Sequence, residues 1–170
     1  MAVRLQSSRM SLSPLAFPQQ PVFGMAPLTQ HEILRFIQND WAEYVPRFRR
    51  LPAESQATFL AEQGYSRFAD LLSHIAAWWR VGLQSIEGYL ADPTAPPSEY
   101  NVAAFNAEAV ANAAGLAEDQ VVAAFEAMRH ALIDFVKGLP DAAFENEKVV
   151  RQLSLEVVGH FKEHEVPARE

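Results

Sequence analysis

The sequence contains no cysteine among its 170 residues. Disulfide bonds, thiolate nucleophiles and cysteine-ligated metals are therefore excluded, which leaves histidine and carboxylate side chains as the strong metal ligands. Any metal site in this chain must be built from imidazole nitrogen and from oxygen.

Basic residues are also scarce. Lys and Arg number 14 against 21 Asp and Glu, which gives a net charge of −7 and an isoelectric point near 5.2. Binding to nucleic acid depends on Lys and Arg side chains that neutralise phosphates. Because the sequence shows no basic stripe, we expect no nucleic-acid partner.

Long apolar runs are missing as well. Charged residues interrupt the apolar stretches well before the length of about 20 residues that a membrane-spanning helix requires. No compact apolar block follows Arg4 and Arg9, as it would in a signal peptide. These absences predict a cytoplasmic protein without a membrane partner.

The N-terminal segment differs in composition from the rest of the chain. Residues 1–27 are rich in Ser, Pro and Gln, contain no acidic residue and show no helical period. This composition predicts a disordered arm. The alternative is a later start of translation, since Met10 and Met25 lie inside the segment. In both cases we expect residues 28–170 to form one domain, of a size that needs no covalent cross-link to fold.

Apolar residues at helical spacing mark four long helices. Thr29, followed by Glu32, forms a capping-box pattern where the first one starts. The predicted long helices cover residues 30–50, 68–90, 117–138 and 148–165, with a shorter alanine-rich helix at 102–114. A weak helical turn follows Pro52. No strand pattern competes, so the sequence predicts an all-α four-helix bundle with a short extra helix, whose topology is left open by its two longer connections.

Two histidines continue an apolar row on the last predicted helix. His160 and His164 are four residues apart, which places both imidazoles on one helix face about a turn apart. The row begins with Leu153 and Val157, so both histidines are expected to face the core. A pair at this spacing can hold one metal ion.

A third histidine occupies a core-facing position on the second long helix. His74 lies three residues after Leu71 and four before Trp78. A buried imidazole without a partner costs about 1–3 kcal/mol, and one shared ion would satisfy three of them. We interpret His74, His160 and His164 as ligands of one divalent metal ion. Zn²⁺ or Ni²⁺ is favoured over Mg²⁺, since imidazole suits borderline transition metals.

Another interpretation needs no metal. The same histidines would then lie at the open end of the bundle, hydrogen-bonded to carbonyl groups and water. His31 and His130 have no converging partner in the pattern, and we place them outside the site.

Two segments of the chain resemble the DinB-like superfamily. Residues 71–78, LLSHIAAW, are similar to its LL-x-H-I-x-x-W segment, and residues 160–164, HFKEH, are similar to its H-x-x-E-H ending. Phe161 stands where many members carry Tyr. A further resemblance, to the ClbS/DfsB subgroup, lies in residues 104–106, in the helix that begins near Ala117 and in residues 139–141. This subgroup is related to protection against genotoxic natural products. Ala117 departs from the Ser that often caps this helix in the subgroup.

The resemblance spans about residues 28–165 and implies a DinB-like bundle with His74, His160 and His164 as its metal triad. It implies a metal-dependent enzyme that acts on a small reactive molecule, by hydrolysis or thiol-dependent transfer, in stress or toxin protection. The alternative is a non-catalytic stress protein that holds a metal or a small ligand. Glu163 is interpreted as solvated or supporting rather than as a general base, and Trp78 as core packing beside the cavity. No catalytic residue is assigned.

The chain is also predicted to form a homodimer. Four helices rich in Ala, Phe and Trp can leave an apolar strip on an outer face, and isologous pairing is the commonest way to cover it. The superfamily resemblance points the same way. Light scattering at micromolar concentration should give twice the chain mass, and a value near 19.0 kDa would reject the dimer.

Overall fold

The computed structural model describes residues 28–168, and this part of the chain is all-α, as predicted. The predicted N-terminal arm, residues 1–27, lies outside the described residues. The helices are α1 (Gln30–Asn39), α2 (Tyr44–Arg50), α3 (Ala53–Glu62), α4 (Phe68–Ala91), α5 (Val102–Ala113), α6 (Glu118–Gly138), α7 (Glu147–Leu153) and α8 (His160–Glu163). A 3₁₀ turn covers Asp141–Glu145, and a π-helical turn, Ser154–Gly159, joins α7 to α8. We refer to the continuous helix 147–163 as the C-terminal helix.

Four helices close into a ring around the core. Helix α4 packs against α6 and against the C-terminal helix, and α1 packs against the same two helices from the opposite side. Helix α5 lies outside the ring on α4. The core of the bundle is aromatic, with the rings of Trp41 and Trp79 in edge-to-face contact at 4.8 Å and that of Phe125 5.0 Å from Trp79.

Contacts between the helices fix their directions. Arg67 donates to the carbonyl of Leu116, so α4 and α6 start at the same end and run parallel. Trp41 donates to the carbonyl of Val157, and Tyr44 donates to that of His164, so the first helices run parallel to the C-terminal helix. The bundle is therefore up-down-down-up, because α5 carries the chain back along α4 before α6 begins.

The single helix predicted for residues 30–50 is wrong, because Pro46 divides it. In a continuous helix Pro46 would lack the N–H that bonds to Ala42 and its ring would clash there. The chain instead interrupts the helix at 40–43 and restarts it, so that Pro46 falls in the first turn of α2, where no such bond is needed. The break frees the carbonyl of Ile37, which accepts from Arg129 at 3.4 Å.

The stretch after Pro52 was predicted as a weak helical turn and is in fact a ten-residue helix, α3. Its apolar pattern is short, since only Phe59 and Leu60 on it are buried. Packing of these two side chains on the core stabilises a helix that periodicity alone does not mark. Helix α3 ends next to Gln63, which faces the histidines.

The C-terminal helix is predicted correctly in extent but not in form. A π-helical turn inserts an extra residue at Ser154–Gly159, where the N–H of His160 bonds to the carbonyl of Leu155. Indole groups satisfy the neighbouring carbonyls: Trp41 donates to Val157 at 2.8 Å and Trp79 to Glu156 at 2.9 Å. The two tryptophans thus fix the helix one turn before the histidines.

Side chains cap the start of α1 and both termini of α6. The predicted capping box is confirmed, since Thr29 accepts from the N–H of Glu32 and its own N–H donates to the Glu32 carboxylate at 2.8 Å. At Ala117, where a Ser cap is absent, the N–H donates to Gln120 at 3.0 Å. Gln30 donates to the carbonyl of Val136 at 2.8 Å and so closes the end of α6.

Within the described residues, no helix is long and apolar enough to cross a membrane. The large apolar side chains that this part of the chain exposes are Leu90, Tyr100, Leu116 and Leu155. The homodimer stays a prediction.

Candidate metal centre

The three predicted histidines meet at one end of the bundle. Helix α4 and the C-terminal helix run antiparallel, so His74 near the start of one faces His160 and His164 near the end of the other. One ring nitrogen from each lies within 4.8 Å of the other two, and each residue is 5% exposed or less. The group can therefore hold a metal ion.

Gln63 sets the orientation of His164. Its side-chain oxygen lies 2.6 Å from Nδ1 of His164. An amide oxygen only accepts, so Nδ1 carries the hydrogen and Nε2 carries the lone pair. Tyr44 fixes the same residue from the other side by donating to its backbone carbonyl at 2.8 Å. The free lone pair of His164 points into the group.

His74 faces this lone pair. The Nε2 atoms of His74 and His164 are 3.3 Å apart. If Nε2 of His74 carries the hydrogen, its buried Nδ1 is left as an acceptor without a hydrogen bond. If Nδ1 carries it, two lone pairs face each other, and a cation between them removes the repulsion. In both tautomers of His74, one buried nitrogen of the pair lacks a partner. A bound cation would remove this cost.

Burial keeps two of these imidazoles neutral. It lowers the pKa of His74 and of His164 to about 3, with a further decrease from the neighbouring His160. Asn106 lies close enough to His74 to favour its protonated form, but it does not complete a hydrogen bond to Nδ1. Neutral imidazole is the form that binds metals, so both side chains are ready to act as ligands at neutral pH.

The sequence interpretation missed a buried carboxylate beside the group. Glu156 is 6% exposed, and its Oε2 lies 3.0 Å from Nδ1 of His160. The signal was its position four residues before His160, on the same helix face. Glu163, the acid noted in the motif, is exposed, as its solvated interpretation requires.

Aromatic rings line the group. The ring of Trp78 lies 6.5 Å from that of His74 and 6.2 Å from that of His160. This side chain is therefore part of the core and also borders the histidine group. Its indole N–H donates to Asn106 at 2.9 Å. Tyr65 lies 5.6 Å from the ring of His74, and burial raises the pKa of its hydroxyl. The histidines are thus enclosed by Trp78 and Tyr65.

The remaining histidines described in the structure stand apart from this group. His31 and His130 are exposed, and neither belongs to the cluster. Nε2 of His130 lies 3.2 Å from the guanidinium of its neighbour Arg129, a contact outside the histidine group.

Comparison with known proteins identifies the family. A profile of the DinB superfamily matches residues 37–165, about three quarters of the chain, and includes all three histidines. The chain belongs to the DinB superfamily. No curated protein and no solved structure matches it significantly.

Without metal, the protein should lose stability as the pH falls from about 6.5 towards 3. The lowered pKa values of His74 and His164 keep them neutral when folded, whereas the unfolded chain takes up protons at both. The unfolded state then binds more protons throughout this window, so acid favours it. Each such histidine lowers the free energy of unfolding by up to about 1.4 kcal/mol per pH unit. Thermal melts in EDTA across this range measure the slope.

Matched variants separate this effect from general acid sensitivity. His74→Gln should give a shallower dependence on pH, because one buried imidazole is removed. His130→Gln, at an exposed position, should keep the wild-type slope. Equal slopes for all three proteins would show that a neutral buried His74 does not contribute.

Proposed function

We propose that His74, His160 and His164 together bind one divalent transition metal ion, Zn²⁺ or Ni²⁺. The observation that carries this proposal is the convergence of three buried imidazole nitrogens within 4.8 Å of one another. Imidazole ligands suit borderline metals and bind hard cations poorly. The absence of cysteine from the chain agrees with an all-nitrogen site.

We further propose that the bound ion serves catalysis. A set of three protein ligands leaves positions free, which is typical of catalytic rather than structural sites. When bound, such an ion acts as a Lewis acid that activates water or a thiol near neutral pH. The chain supplies neutral ligands and, through Trp78 and Tyr65, a wall that limits access of bulk water.

A cleft further along α4 is the proposed site for the substrate. It has a volume of about 290 Å³ and lies between α4 and the proline-rich segment 92–100. Lys148 holds this segment in place by donating to the carbonyls of Pro93 and Ala95. The histidines do not line the cleft, but Tyr100 on its wall lies 5.8 Å from the ring of Trp78, which in turn contacts His160. A small molecule would reach the ion past Trp78.

The resemblance to the ClbS/DfsB subgroup supports a proposal for the substrate class. We propose a small reactive electrophile, removed by hydrolysis or by thiol-dependent transfer, in stress or toxin protection in the cytoplasm. The residues that would transfer protons are not assigned. The alternative is a stress protein that holds the ion or a small ligand without turnover.

A metal assay followed by a substrate screen tests the proposal. Protein purified without chelator and offered Zn²⁺ or Ni²⁺ should retain about one equivalent, and less than about one fifth would show that no shared site exists. The loaded protein is then screened against small electrophiles with and without a low-molecular-weight thiol. Turnover that EDTA abolishes and metal restores supports the enzyme. Full metal occupancy without turnover supports the alternative.

A further inference from the structure

We propose that Glu156 is a positioning residue: its carboxylate, next to Nδ1 of His160, favours a hydrogen on that nitrogen, so that the lone pair of Nε2 is available to an ion shared with His74 and His164. The proposal rests on the metal-binding function proposed above and assigns to the site a residue outside the histidine triad.

The contacts of Glu156 orient its carboxylate. One oxygen, Oε1, accepts from Gln152 at 2.9 Å, which leaves Oε2 at 3.0 Å from Nδ1 of His160. The backbone carbonyl of Glu156 accepts from the indole of Trp79 at 2.9 Å. Side chain and backbone are therefore both fixed, one helical turn before His160.

The carboxylate of Glu156 also has the imidazole of His160 as its partner at ion-pair distance. Within residues 28–168 no Lys or Arg forms an ion pair with this buried carboxylate, and its partner at ion-pair distance is His160. A carboxylate behind a metal-ligating histidine fixes the tautomer and makes the ring a stronger ligand. A cation bound at Nε2 would in turn offset the cost of burying the negative charge.

Helix α4 is shaped to admit this side chain. Gly82 lies directly against it, and a Cβ at position 82 would come within 2.6 Å of Cγ of Glu156. Even alanine at position 82 would therefore force the side chain of Glu156 to move. A Cβ at Gly88, six residues further along α4, would meet no atom within 4 Å. The chain thus leaves space on α4 where Glu156 needs it.

Two pairs of variants test the proposal through metal affinity, measured by competition with a chromophoric chelator for Zn²⁺. Glu156→Gln should weaken binding by about 10- to 100-fold. Glu163→Gln removes the same charge from an exposed position next to His164 and should leave affinity within about twofold. Gly82→Ala should weaken binding in the same direction as Glu156→Gln, whereas Gly88→Ala should not. Equal affinities within each pair would overturn the proposal.

The tautomer of His160 gives a readout that a purely structural role would not move. In metal-free protein with ¹⁵N-labelled histidine, long-range ¹⁵N–¹H spectra should show His160 protonated at Nδ1. In Glu156→Gln this preference should weaken, because an amide can present either its oxygen or its NH₂ group. Protonation at Nε2 in the wild type would overturn the positioning role.

The experiments distinguish failure of the proposed metal site from failure of the proposed role of Glu156. If the wild-type protein binds no Zn²⁺, the proposed function is wrong, and the positioning of a ligand is overturned with it. If the wild type binds one equivalent and the variants bind as tightly, only the role of Glu156 is wrong. Circular dichroism of each variant checks that the bundle is folded, so a loss of affinity is not a loss of fold.

Discussion

The antiparallel packing of α4 on the C-terminal helix is the contact on which the rest of the structure depends. It brings His74 opposite His160 and His164, at an end of the bundle where all three are buried. The π-helical turn lies inside the same contact, and the indoles of Trp41 and Trp79 donate to its carbonyls. Two of the largest core side chains therefore stabilise the fold and set the position of the histidines together.

This arrangement would be unfavourable in a purely apolar core. Nitrogens that are cut off from water must find partners, and the two facing Nε2 atoms at 3.3 Å cannot both present lone pairs without a cation between them. On the outer side of the rings, Gln63 accepts from His164, and the carboxylate of Glu156 lies 3.0 Å from Nδ1 of His160. The Nε2 atoms of His74 and His164 face one another, and an ion shared with His160 is the simplest way to satisfy them.

The helical period was enough to find the histidines, because Leu153, Val157, His160 and His164 fall on one face and all are buried. It did not find Glu156, since an acidic side chain in an apolar helix is ordinarily taken as solvated. Nor did it find the break before α2, which places Pro46 in the first turn of that helix. The π-helical turn has no periodic signal, because it is stabilised by indoles that come from distant parts of the chain.

A double-mutant cycle tests the shared ion most directly. His74→Ala and His160→Ala are compared with the double variant by thermal and denaturant unfolding, with excess Zn²⁺ and again with EDTA. When free metal is about 100-fold above its dissociation constant, each single change should remove about 2.7 kcal/mol of metal-linked stability, and the double variant should lose little more. In EDTA this coupling should disappear. Losses that add independently with metal present, or coupling that survives chelation, would contradict a common ion and leave the histidines as separate core residues.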